Sequence, residues 1–227
     1  MFFDQYYLLL VVPTLLLSII AQIMVKTTFS RYSEIASRRG ISSTDVARMI
    51  MRRNSINNVQ IEPIAGSLTD HYDPAHKVLR LSRSVYDKTS IAAIGVAAHE
   101  TGHAIQDAVS YGPLVLRSTL VPAANLGSTV GPYLAFAGLI FGLPFLLNLG
   151  IILFAAAVFF YLVTLPVEIN ASHRAVSLLE SSALLTDDEL SGVKKVLTAA
   201  AMTYVASALT AMANLFRLVL LAQNRRD

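Results

Sequence analysis

Apolar positions in this chain gather into long runs rather than short alternations. Three stretches hold no Asp, Glu, Lys or Arg: Gln5 to Val25, 21 residues; Ser118 to Val167, 50 residues; and Val196 to Phe216, 21 residues. A helix needs about 20 apolar residues to cross a bilayer, and a charge left in hydrocarbon costs several kcal/mol, so each stretch reads as membrane-spanning. Fifty residues as one helix would be about 75 Å long, more than twice the bilayer core, which predicts that the middle stretch folds back on itself. The turn is expected near Asn148 to Gly150. Four spans follow, at about 6–25, 119–147, 150–167 and 197–220, the second interrupted at Gly131-Pro132. Pro113 to Val130, with Arg117, Pro122, Asn125, Gly127 and Ser128, reads as an interfacial lead-in to the second span.

Between the first two spans the period changes. Thr28 to Ile50 is patterned as helix, with Ser43-Thr44-Asp45 as an N-cap region and Val46, Met49 and Ile50 on one face. Val59 and Ile61 alternate with polar neighbours, Gly66 breaks the run, Asp70-His71-Tyr72-Asp73-Pro74 is turn-like, and Val78 to Ser82 alternates again, which predicts a small antiparallel sheet. Thr89 or Ser90 then caps a helix over about Ile91 to Val109, so dense in apolar residues that it is expected to be buried nearly all round. The fold class expected is a mainly α integral membrane protein with a small antiparallel β-sheet, a single membrane-embedded domain over 1–227. Its polar region comprises about 26–116 and 168–196.

Composition agrees: 54% hydrophobic and 15% charged residues are too apolar for an ordinary water-soluble domain. Between Lys26 and Arg53 there are seven Lys/Arg against Glu34 and Asp45, which places this connection in the cytoplasm and the N-terminus outside. The segment from Glu168 to Lys195 then returns to the cytoplasmic side. Arg225 and Arg226 run against that scheme, since four crossings put them outside, and Arg217 is read as snorkelling to the interface. The first span has no basic residues ahead of it, only Asp4, so it is expected to remain as an anchor. A net charge of +3 without Arg/aromatic interleaving argues against a nucleic-acid partner. With no cysteine, disulfides, iron–sulfur clusters and Cys-based zinc fingers are excluded, and any metal site must use His and carboxylates.

Such a set stands in the buried helix: His99-Glu100-Thr101-Gly102-His103, an H-E-x-x-H arrangement. Residues i and i+4 project from one helical face, so the two imidazoles can share a tetrahedral zinc, and Glu100 reaches the side where a bound water would sit, as a general base must. The competing reading, polar residues on a solvated helix face, conflicts with the apolar flanks Val96-Ala97-Ala98 and Ala104-Ile105. A catalytic zinc takes three protein ligands. The candidates for the third are His71, His76, His173 and the carboxylates, with Glu168 best placed. The paired spans leave the membrane face shortly after His103 and return to it at Leu165-Pro166-Val167-Glu168.

The segments Asp70-His71-Tyr72-Asp73-Pro74, Leu79-Arg80-Leu81-Ser82, Ala97 to Gln106 around H-E-x-x-H, and Leu165-Pro166-Val167-Glu168-Ile169-Asn170-Ala171-Ser172 occur in this order. Together they resemble the YugP-like neutral zinc metallopeptidases of prokaryotic membranes, over nearly the whole chain. That family is similar to membrane-embedded gluzincins related to the CAAX-processing and heat-shock membrane proteases. The resemblance implies a zincin-like core, one zinc ion per chain, a location in a prokaryotic cell membrane, and the ligands His99, His103 and Glu168. Where the wider group often carries an Asp four residues after the ligand Glu, this chain has Ser172, a weaker orienting partner for an imidazole; Asn170 is a second candidate.

The expected activity is zinc-dependent endopeptidase action on polypeptides, mainly membrane or membrane-associated proteins, with Glu100 as general base. Arg174, His173 or a nearby Tyr would supply an oxyanion donor, and a substrate chain would lie along an edge strand at Leu79, Arg80, Leu81 and Ser82. The rival from another class is a membrane scaffold with a structural metal site, which would need a fourth ligand and has no use for Glu100. A small transporter is disfavoured because the spans lack Asp, Glu or His for a coupling-ion path.

Overall fold

A computed structural model describes residues 4–224. A π-helical turn, Tyr7–Val11, leads into α1 (Val12–Ser33); α2 (Ser43–Arg53), β1 (Gln60–Ile64), β2 (His71–Asp73), β3 (Val78–Ser82) and α3 (Ile91–Ala108) follow, then α4 (Gly112–Phe141), α5 (Pro144–Ser182) and α6 (Asp187–Gln223). Tyr7–Ser33, α4, α5 and α6 are long and apolar enough to cross a membrane. The chain divides into two compact units. One takes the chain up to Gln22, Val115–Pro166 and Met202 onward; the other takes Ile23–Leu114 and Val167–Ala201. Arg225 and Arg226, which bear on the orientation of the last span, lie outside the described residues.

The first unit wears its apolar side chains outward. Leu9, Ile20, Phe141 and Phe145 are all exposed, as lipid-facing residues are. The expected turn at Asn148 to Gly150 is not there: these residues lie inside α5, and the chain reverses at Gly142, whose φ of +68° no β-carbon favours, with Pro144 opening the next helix. Gly150 serves packing instead. A Cβ there would stand 2.3 Å from the backbone nitrogen of Ala135, and one on Gly131 2.9 Å from that of Phe154, so α4 and α5 touch backbone to backbone. Gly131-Pro132 therefore does not interrupt the span, and α4 runs unbroken through Pro122 and Pro132, absorbing the expected lead-in segment. Arg217 does not snorkel. It is 4% exposed, donates from a terminal guanidinium nitrogen to Asp4 Oδ2 at 2.6 Å, and lies over the Tyr7 and Phe136 rings. A carboxylate close enough to pair makes burial of the cation tolerable.

In the second unit the helical pattern over Thr28 to Ile50 splits: α1 ends at Ser33, and Ser42, one residue ahead of the expected cap region, caps α2 by accepting from Asp45 N–H. The sheet has strand order β1-β3-β2 and is mixed, not antiparallel throughout: β1 and β3, the two strands the alternation predicts, run parallel, and the antiparallel partner of β3 is β2. The residues read as a turn, His71–Asp73, form β2. Asp73 starts the turn instead, its Oδ1 accepting from the backbone N–H of Ala75 and His76, with Lys77 at φ +55° closing it. Leu79, Leu81, Ile94 and Leu179 are buried in one core that joins sheet, α2, α3, and the second-unit parts of α1, α5 and α6. Ser90 caps α3, accepting from Ala93 N–H, and the helix is buried on almost every side, as its composition predicts.

Candidate metal centre

Helix α3 presents His99 and His103 one turn apart, with ring centroids 4.9 Å from each other and ring planes nearly perpendicular. Helix α5 brings Glu168, 2% exposed, against both: its Oε2 lies 3.2 Å from His99 Nε2 and 3.5 Å from His103 Nε2. The helices come this close because residue 102 is glycine. A Cβ on Gly102 would stand 2.7 Å from the carbonyl oxygen of Ala171, one turn beyond Glu168. Gly102→Ala is therefore expected to force α3 and α5 apart, destabilising the fold by about 1–3 kcal/mol and weakening metal retention, which melting and metal analysis of the purified protein would register.

The outward nitrogens of both imidazoles are held. His103 Nδ1 is 3.0 Å from Gln106 Oε1, while Gln106 Nε2 donates to Val167 O at 2.8 Å and to Asn170 Oδ1 at 3.0 Å. Asn170 Oδ1 also accepts from Arg174 Nε at 2.7 Å, and the Arg174 guanidinium stands 6.0 Å from the centre of the Tyr111 ring. Because both donors of the Gln106 amide are committed to acceptors, its oxygen must accept from His103 Nδ1–H, so Nε2, turned to Glu168, is the nitrogen that gains or gives up the second proton. His99 Nδ1 lies 3.0 Å from Ser172 Oγ, and donation to that hydroxyl leaves its Nε2 in the same state. Burial alone would depress the His103 pKa, but the hydrogen bond to Glu168 and the negative charges of Glu100 and Glu168 outweigh it and raise it, the mark of a site prepared for positive charge.

These residues fit zinc. Tetrahedral coordination with bonds of 2.0–2.1 Å separates ligand atoms by about 3.4 Å, close to the 3.2 and 3.5 Å found here, and one ligand atom from each of the three residues lies within 4.8 Å of the others. Both histidines also show the orientation of metal ligands, one ring nitrogen inward and the other hydrogen-bonded. Gln106→Ala should lower zinc affinity roughly 10- to 100-fold, read by competition with a chromogenic chelator, and cost the fold about 1–3 kcal/mol through the buried His103 N–H it leaves unpaired.

Glu100 sits beside the pair on α3, 9% exposed, its Oε2 accepting from Tyr72 N–H at 3.1 Å. The Tyr72 hydroxyl in turn donates to Asp107 Oδ2, which also accepts from Lys77 Nζ, so β2 is fastened to α3 at two points two turns apart. Burial and that carboxylate hold the Tyr72 phenol above its ordinary pKa, keeping it a donor.

The other sequence candidates lie elsewhere. His71 Nδ1 meets Thr69 O, His76 Nδ1 meets Asp73 Oδ2, and His173 is exposed, its Nδ1 3.4 Å from Ser177 Oγ. Leu79, Arg80, Leu81 and Ser82 do not form an edge strand. β3 is central, bonded by β1 on one side and β2 on the other, and Ser82 N–H and Oγ are taken by Asp70. Sequence reasoning missed Gly102, Gln106 and Tyr72 as supports of the site. A polar residue three positions after His103, on the same face of an apolar helix, was the available signal for Gln106.

Comparison with known proteins bears on the whole chain. A protein from Bacillus subtilis (strain 168) described as "Putative membrane protease YugP" is 48% identical over 221 residues, covering 97% of this chain and 98% of that protein. No solved structure matches. The profile of a family described as "Putative neutral zinc metallopeptidase" matches residues 7–223, from the first apolar helix to the last, and the chain belongs to that family.

Proposed function

We propose that this chain is a zinc-dependent endopeptidase that cuts polypeptides at the cytoplasmic face of a prokaryotic cell membrane. The observation that carries the reading is the Glu168 carboxylate held within 3.5 Å of both imidazole nitrogens of the H-E-x-x-H helix. His99, His103 and Glu168 would hold one zinc ion per chain. Zinc, when bound, supplies Lewis acidity, bringing the pKa of a water toward about 7 and polarising a peptide carbonyl. Glu100 takes the proton from the attacking water and delivers it to the leaving amine. Tyr72 N–H pins its Oε2, which leaves Oε1 to move the proton. Gln106 and Ser172 keep the imidazoles turned, and Asn170 and Arg174 hold Gln106, so Arg174 acts as a positioning residue. Among the described residues the group offers three ligand atoms, the number a hydrolytic zinc site uses, and a charged base beside it has no place in a purely structural one.

We read residues 1–227 as one functional domain whose catalytic region is about 26–116 plus 168–196, with membrane or membrane-associated proteins as substrates. The basic connection after the first span supports the cytoplasmic placement. Two measurements test the reading. Cleavage of casein by detergent-purified protein should stop with 1,10-phenanthroline and return with added zinc. Because the chain has no cysteine, a single one introduced at exposed Arg83 reports its side of the membrane, and a membrane-impermeant maleimide should label it only after the cells are opened. Chelator-resistant cleavage, or labelling of intact cells, contradicts the corresponding half.

A further inference from the structure

Within the second unit, α1 and α6 line an open cavity of about 540 Å³ that has no part in the metal centre. Its charged lining is all of one sign: Arg31, Lys194 and Lys195, with no Asp or Glu. None of these three cations makes an ion pair among the described residues; Arg31 rests 5.8 Å from the centre of the Tyr32 ring. Hydroxyls of Thr28, Ser191 and Thr198 complete the polar wall. A second cavity carries Lys26 and Lys88 but includes Glu34, and a third sets Glu180 beside Lys194, so both differ from the first in holding a carboxylate.

Position along the chain says what kind of anion belongs there. The charge-free runs end at Val25 and begin at Val196, so the cavity straddles their borders, with Met24 and Ala199 on the apolar side and Arg31, Lys194 and Lys195 just beyond. An amphiphile with a phosphate at one end and hydrocarbon at the other matches that gradient, and basic pockets at membrane borders take such head groups. The floor is firm: a Cβ on Gly192 would stand 2.7 Å from the Tyr32 ring, so α1 and α6 are in direct contact beneath the cations.

We propose that the cavity between α1 and α6 binds the phosphate of an anionic phospholipid through Arg31, Lys194 and Lys195, with the acyl chains leaving past Met24 and Ala199. The site stands apart from Glu100 and its neighbours, and its test does not require hydrolysis.

The test uses the full chain in zwitterionic detergent, titrated with phosphatidylglycerol and read by native mass spectrometry. One phosphatidylglycerol should bind saturably, and phosphatidylcholine should not. Arg31→Gln with Lys195→Gln, both exposed and so tolerated by the fold, should weaken binding roughly ten- to thirtyfold, on the order expected for two cations at a lipid surface. Lys26→Gln with Lys88→Gln removes the same charge from the second cavity and should change affinity less than threefold. Equal weakening by both pairs, equal binding of phosphatidylcholine, or binding of soluble glycerol 3-phosphate as tightly as the lipid overturns the assignment.

Discussion

Glu100→Gln is expected to leave zinc content and melting temperature within error of the parent while casein cleavage falls at least about a thousandfold, the upper part of the range that general acid–base catalysis contributes. The substitution preserves shape, and the amide oxygen can still accept from Tyr72 N–H, so β2 should stay on α3. What is lost is basicity at the atom that must take a proton from water. Substantial residual cleavage would mean that another group moves the proton, and the described site offers no free equivalent: Glu168 is taken as a ligand, and Asp107 is two turns away and committed to Tyr72 and Lys77.

Glu168→Ala has the second-largest expected effect, on binding rather than on proton transfer. Structural zinc sites bind with about 10–16 kcal/mol, so one ligand accounts for roughly 3–4 kcal/mol, a loss of several hundredfold in affinity. Dialysed protein should fall from one zinc per chain to a small fraction, and cleavage with it. Glu168→Gln should lose most of the affinity too, because its amide keeps the packing against α3 but not the negative charge. The α3–α5 contact at Gly102 is backbone packing and survives both changes, so circular dichroism should still show the helices.

The spans were legible because charge is expensive in hydrocarbon: apart from Gln5, Tyr6 and the Gly142-Leu143 turn, the three uncharged stretches fall in the four long apolar helices. The fold-back was legible from length alone, but its position was not. Gly150 and Gly142 look alike in sequence; one has a positive φ and turns the chain, while the other lets two backbones touch, and only the partner helix distinguishes them. Local pattern likewise gave strands at Val78–Ser82 and around Val59–Ile61, but neither their parallel pairing nor the strand β2. A strand of three residues, His71–Asp73, is too short to show a period, and the alternation along β1 and β3 shows two strands without saying that they run parallel. This is also why β3 could be mistaken for an edge.

At the site the same division holds. The i, i+4 spacing fixed the common face of His99 and His103, and the topology of paired spans singled out Glu168, the residue found against them. The supporting shell was less legible, because Gln106 reaches Val167 and Asn170 across 61 and 64 positions of sequence. Ser172 was read as a possible imidazole partner and lies on His99; Asn170 contacts Gln106, not a histidine.

X-ray absorption at the zinc edge of purified protein addresses the central claim most directly. The account predicts about one zinc per chain in a four-coordinate shell of light atoms, with the multiple-scattering signature of two imidazoles in the parent and in Glu100→Gln, and an edge signal reduced to a small fraction in Glu168→Ala. A shell with three or more imidazoles, or a full zinc signal in Glu168→Ala, would contradict it.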